Sequence, residues 1–160
     1  LYEEKIFSKA LTVILSVATA ILFFVLLYQT ILGPIGSRPA PNWFFIALFL
    51  MFLGLTVNFR NLNIKMTSRY ISVGYGIFKY NIPWGNVEAC YLDEASTIRY
   101  GGWGIRVGKV GGKWRLVYNV IGVPRVVLLL NKGKFREFVF STNNPERIVE
   151  IVNQKVGKIR

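Results

Sequence analysis

Histidine is missing from this chain altogether, and cysteine occurs once, at Cys90. The first absence removes the side chain that titrates near neutral pH and most often shuttles protons. The two together exclude metal sites of the Cys/His kind. A lone thiol makes no intramolecular disulfide and suits a reducing compartment. Acids are scarce as well, with 8 Asp and Glu against 20 Lys and Arg and a formal net charge of +12. The only adjacent carboxylates after the apolar N-terminal part, Asp93 and Glu94, lie in YLDEAST and read as solvated loop charge near Arg99. Serine and threonine hydroxyls have no evident base beside them. Cys90 alternates within a strand-like stretch, where an inert buried thiol is expected. The chain therefore reads as non-enzymatic, with no catalytic residue, metal or cofactor.

Charge is absent from residues 10–32, ALTVILSVATAILFFVLLYQTIL. At about 1.5 Å per residue this run reaches roughly 35 Å, enough to cross a hydrocarbon core of roughly 30 Å. It is also too long for the apolar core of a signal peptide. Residues 42–59, NWFFIALFLMFLGLTVNF, form a second uncharged run at about the minimum spanning length. GPIGSRPAPN between them is a Gly/Pro-rich turn, so a two-helix transmembrane hairpin is expected. Lys5 and Lys9 precede the first span, Arg60, Lys65 and Arg69 follow the second, and the turn holds only Arg38. The positive-inside rule then predicts a multi-pass protein of the plasma membrane with both termini cytoplasmic. Ser16 and Ala20 on one helix, and Ala47 and Gly54 on the other, are small residues at spacings that suggest close helix packing.

On this reading residues 1–59 are the anchor and residues 60–160 a cytoplasmic domain. The pattern after Arg60 alternates: Leu62, Ile64 and Met66 face one way and Asn63, Lys65 and Thr67 the other, as in a half-buried strand. Similar stretches, with turns at Gly74–Gly76, Val110–Gly112 and Asn131–Lys134, bring the expected count to seven or eight strands. Residues 144–158 alone look helical, with Asn144 as cap, Pro145 at the first position, an apolar stripe of Ile148, Ile151, Val152 and Val156, and Gly157 as stop.

The stretches NFRNLNIKMTSRYISVGYGIFKYNIPWGNVEAC, YGGWGIR and NKGKFREFVFSTNNPERIVEIV resemble the bacterial-type PH-like membrane proteins, in which two membrane helices commonly precede a pleckstrin-homology-like domain. The resemblance covers nearly all of residues 60–156. It implies a mainly antiparallel β barrel or sandwich closed by a C-terminal helix, and no general ligand or reaction.

YGGWGIRVGKVGGKWRLVY, residues 100–118, concentrates tryptophan, glycine and basic groups and holds no acid. It lacks the G-x-x-x-x-G-K-[ST] order of a nucleotide loop and runs on into a strand. Strand alternation directs Trp103, Ile105, Val107, Trp114, Leu116 and Tyr118 inward and Arg106, Lys113 and Arg115 outward. The outer face is then either ordinary solvated charge or a site for anionic lipid headgroups, with Arg60, Lys65, Arg99, Arg106, Lys109, Lys113 and Arg115 as its contacts. Aromatics turned inward leave no stacking platform, so nucleic acid is not an expected partner. VVLLL and FVF lack clean alternation, which suggests that both faces are covered. Val126, Leu128, Leu130, Phe135 and Val139 are the candidates for a partner interface. The leading expectation is a protein-interaction module or accessory subunit that docks a membrane-protein partner or further copies of the chain. Recognition of anionic lipid headgroups is the alternative.

Overall fold

A computed structural model of the protein describes residues 2–159. The chain divides into two compact units, one of residues 9–60 and one that joins residues 2–8 to residues 61–159.

The first unit is a pair of helices, α1 (Lys9–Ile31) and α2 (Asn42–Asn58). Among the described residues α1, with 23 residues, is the one helix long and apolar enough to cross a membrane; α2, also apolar, has 17 and falls short of the second span expected. They run antiparallel: Phe23 meets Phe49 with ring centroids 5.8 Å apart, and the Thr19 and Thr56 hydroxyls lie 3.4 Å apart. Both threonines also donate to the carbonyl four residues back, which satisfies each hydroxyl within its own helix. At the turn the Gln29 amide donates to Ala40 O and Asn42 Oδ1. The small residues do not form the expected seam. Ser16 and Ala20 border a shallow cleft beside Thr19 and Phe23, whereas Ala47 and Gly54 are exposed and a Cβ on Gly54 would meet nothing within 4 Å. The pairs that meet across the two helices are Phe23 with Phe49 and Thr19 with Thr56.

Among the described residues the second unit holds nine strands and one long helix. A four-stranded antiparallel sheet has the order β1 (Tyr2–Phe7), β2 (Asn61–Met66), β3 (Tyr70–Tyr75), β4 (Phe78–Pro83). The domain therefore begins before the helices, and residues 2–7 belong to it, not to an anchor of residues 1–59. Glu4 ties the first strand down by accepting from the Tyr2 and Thr142 hydroxyls and from Asn143 N.

A five-stranded sheet has the order β5–β8–β9–β7–β6, formed by β5 (Val87–Leu92), β6 (Gly104–Val110), β7 (Lys113–Asn119), β8 (Arg125–Leu130) and β9 (Glu137–Ser141). β9 inserts between β7 and β8, antiparallel to β8 and parallel to β7. The second sheet is thus mixed, and the two sheets stay separate instead of closing into a barrel. They face each other through Tyr75 on Tyr118 and Tyr80 on Phe138, with centroids 6.3 and 5.0 Å apart. Between them lies a core that includes Leu62, Ile64, Ile71, Leu128, Phe138 and Phe140, all fully buried.

α3 (Pro145–Ile159) buries the stripe Ile148, Val152 and Val156. Gly157 lies inside it, not beyond its end, and the Asn144 amide bonds Tyr2 Oη. Asn153 accepts from Cys90 N and donates to Cys90 O, both at 3.0 Å, so one side chain imitates a strand partner on the β5 edge.

Candidate functional site

The site is built on the face of the five-stranded sheet that turns away from the first sheet. Val117, Val127 and Val139 share this face across three neighbouring strands. Residues 93–103 fold over it and seat Tyr100 on the three valines, with Ala95 and Val110 at the margin. The strand below permits this because Gly108 has no side chain: a Cβ there would stand 2.7 Å from Tyr100 Cδ1. Gly101, Gly102 and Gly104, at φ of 72°, 108° and 79°, turn the chain from the cover back into β6, a path only glycine follows without strain.

Four charged side chains edge this small core. Asp93, Arg115, Arg125 and Glu137 are all nearly solvent-free, at 1, 9, 9 and 5% side-chain exposure. Arg115 Nη1 donates to Asp93 Oδ1 at 3.2 Å and to Tyr100 Oη at 2.9 Å, and its Nε pairs with Glu137 Oε2. Arg125 Nε donates to Asp93 Oδ2 at 2.8 Å. Its Nη1 reaches Thr97 Oγ1 at 2.7 Å, and its Nη2 binds Ala95 O. Its guanidinium also stacks on the Tyr100 ring at 5.2 Å. Tyr100 donates to the Asp93 carboxylate, and Tyr91 donates to Glu137 Oε1 at 3.0 Å. Two acids against two guanidiniums leave the cluster formally neutral.

Burial works against the charge of Arg115, but its hydrogen bonds to Tyr100 and Glu137 outweigh that cost and hold it more firmly protonated than a free arginine. Burial raises Tyr100 too; the Arg115 bond lowers it in part, and the Asp93 charge adds to the rise. Both Asp93 oxygens are taken up by donors. The cluster is a clasp that holds residues 93–103 on the sheet. A shallow cleft of about 890 Å³ opens beside it, bordered by Tyr91, Glu94, Ser96, Arg99 and Arg115.

The structure disperses the seven candidate anion contacts. Arg60 lies in the helical unit, and Lys65 is exposed on β2 opposite Glu3. Arg99 is exposed on the covering segment. Arg106, Lys109 and Lys113 sit on the β6–β7 hairpin, all exposed. Arg115 does not join them. It alternates with Trp114 as expected, but residues 93–103 cover the face expected to meet solvent and leave Arg115 7% exposed, while Trp114, expected inward, is 55% exposed. Asp93 is likewise a buried partner and not solvated loop charge. The partner-interface candidates are corrected as well: Val126, Leu128, Leu130 and Val139 are at most 1% exposed, and Phe135 is half-buried under Lys134. Both faces of that hairpin are covered, as its apolar runs imply, but by the chain's own residues.

Burial also shapes the response to alkali. It raises Tyr75, whose hydroxyl donates to Asn119 O, to about 12, and raises Tyr91, helped by Glu137, to about 12. A folded state that keeps these protons beyond the ordinary pKa of about 10 is stabilised below pH 10 and loses that stability as pH rises through 12. For Tyr75 the loss amounts to about 2–3 kcal/mol; for the half-exposed Tyr91 it is smaller. Chemical unfolding followed by circular dichroism from pH 8 to 12 is expected to show this decline, and Tyr75→Phe to flatten it. An unchanged slope in the variant would remove Tyr75 as the cause.

No protein-family model, curated protein or solved structure matches the chain.

Proposed function

We propose that this is a non-enzymatic protein of the plasma membrane, anchored by two spans, whose PH-like domain recognises anionic lipid headgroups on the cytoplasmic side. The observation that carries the reading is the sorting of charge. Asp93 and Glu137 are turned inward against Arg115 and Arg125, while Arg99, Arg106, Lys109 and Lys113 stay at the surface. From Arg60 onward the chain has 17 basic and 6 acidic residues, and the neutral buried cluster takes two of each, so the excess of positive charge lies outside it. A cytoplasmic leaflet attracts such a surface by about 1 kcal/mol per nearby cation.

Two spans are supported by strand pairing. β1 precedes α1 and β2 follows α2, yet Phe7 and Asn61 are partners in one sheet. Partners in a sheet lie on one side of a bilayer, so a chain that crosses through α1 must cross back before β2. α2 is the only apolar helix between them, and its roughly 26 Å is accommodated by slight bilayer thinning. The basic residues flanking the helices favour the cytoplasmic side. Cys90, whose thiol burial pushes up to about 12, is a poor nucleophile, in keeping with a non-enzymatic role. Two facing sheets with a packed C-terminal helix agree with the PH-like reading, and the parallel β7–β9 pair is its departure.

The test is native mass spectrometry of the full chain in mild detergent, with phosphatidylglycerol and phosphatidylcholine offered together. Preferential retention of phosphatidylglycerol that fades as salt rises is expected. Equal retention of both lipids, or a fixed protein partner with no bound lipid, would overturn the reading.

A further inference from the structure

We infer that the β6–β7 hairpin is the element that grips the bilayer, with Trp114 and Val107 entering the headgroup layer and Lys109, Lys113 and Arg106 holding lipid phosphates. This rests on the anionic-lipid reading above and assigns it to one element. Gly111 and Gly112, at φ of 57° and 81°, make the two-residue turn that matches strand twist, so the hairpin ends tightly. The register sets Lys109 opposite Trp114 and Val107 opposite Leu116, which places these four on one face. Near the base that face is core, with Tyr118 at 5% exposure. Toward the tip it is open, with Trp114 at 55% and Val107 at 51%.

One cation shares this open face: the Lys109 ammonium lies 5.7 Å from the Trp114 ring centroid. Lys113, opposite Val110, directly follows the turn on the other face. Arg106 projects from the other face, its Nε bonded to Trp103 O at 3.1 Å. Residues 100–119 include no acid. Glu137 Oε1 is 4.0 Å from Lys113 Nζ, and the lysine remains 60% exposed. An indole beside an aliphatic side chain, with an ammonium on its own face and two further cations on the other face of the same narrow hairpin, fits the boundary between acyl chains and anionic headgroups, where tryptophan and lysine both settle. A chain that carries its own apolar anchor has such a surface permanently within reach.

The experiment uses the full chain reconstituted in vesicles of phosphatidylcholine, with or without phosphatidylglycerol, and brominated lipid as quencher. The chain has 4 tryptophans, so Trp114 emission is taken as the difference between wild type and Trp114→Phe. In anionic vesicles this difference signal is expected to be quenched by bromolipid and shielded from aqueous acrylamide; in phosphatidylcholine alone the pattern reverses. Lys109→Gln and Lys113→Gln are each expected to lower the docked fraction relative to the free by about fivefold. Both positions are exposed, and an unchanged circular dichroism spectrum verifies that the variants fold. Acrylamide access without bromolipid quenching in anionic vesicles would overturn the assignment, and so would shielding from both quenchers, which marks a protein contact. If the wild type still retains phosphatidylglycerol in detergent, only the hairpin assignment falls; if it does not, the functional reading falls with it.

Discussion

Arg115→Met is expected to lower the unfolding free energy by about 3–5 kcal/mol, the range found when one partner of a buried ion pair is removed. The arginine satisfies Glu137 through Nε, and Asp93 and the Tyr100 hydroxyl through Nη1. Methionine fills much of the volume but supplies no donor, so Glu137 keeps only the Tyr91 hydroxyl and the distant Lys113 as partners. Asp93 retains Arg125 and Tyr100. The uncompensated charge is therefore mainly that of Glu137, and Arg115→Met/Glu137→Gln should recover part of the loss. Denaturant unfolding of the full chain in detergent, read by circular dichroism, gives both numbers. A single-variant loss within about 0.5 kcal/mol, as for an exposed residue, would mean that Arg115 is not clasped as described. Arg115→Lys should fall between, because an ammonium keeps the charge but cannot reach both acids in one plane.

Leu128→Ala is expected to cost about 2–5 kcal/mol, from lost burial plus the cavity left behind. Leu128 is fully buried and pairs with Cys90 on one side and Phe138 on the other. A docking surface would behave differently: truncation would leave stability nearly unchanged and weaken association. The same unfolding measurement separates the two, and a loss below about 1 kcal/mol would restore Leu128 to the surface.

Much of the scaffold is legible in the residues because periodicity is local. The first apolar run, the turns at Gly76 and Gly111–Gly112, the hairpin after Leu130 and the buried stripe of α3 all follow from spacing within a few residues. The clasp was not legible, because it depends on pairings between distant segments. Arg115 and Glu137 become neighbours only through the parallel β7–β9 register, which no turn announces. Glu137 inside FREFVF was the available signal, an acid on the same side as Val139 that needed a cation to stand opposite it. Strand β1 escaped for another reason. In YEEKIF only Ile6 is a buried apolar residue, so the alternation that marks a strand is nearly absent, and Glu4 is held by polar bonds instead.

The pairing of Phe7 with Asn61 also sets an order on biosynthesis. β1 leaves the ribosome before β2 and lacks its hydrogen-bonding partner until both helices and the turn between them have been made. At about 5–20 residues per second, the strand waits for several seconds with its edge unpaired. Residues 61–66 then find it at once, because the helical hairpin has brought its own ends together and little chain entropy remains to be lost. On the two-span reading proposed above, a nascent chain whose second helix failed to turn back would hold β1 and β2 on opposite sides of the bilayer, and the four-stranded sheet could not form. On that reading, completion of the sheet reports, within the molecule itself, that both helices have been inserted.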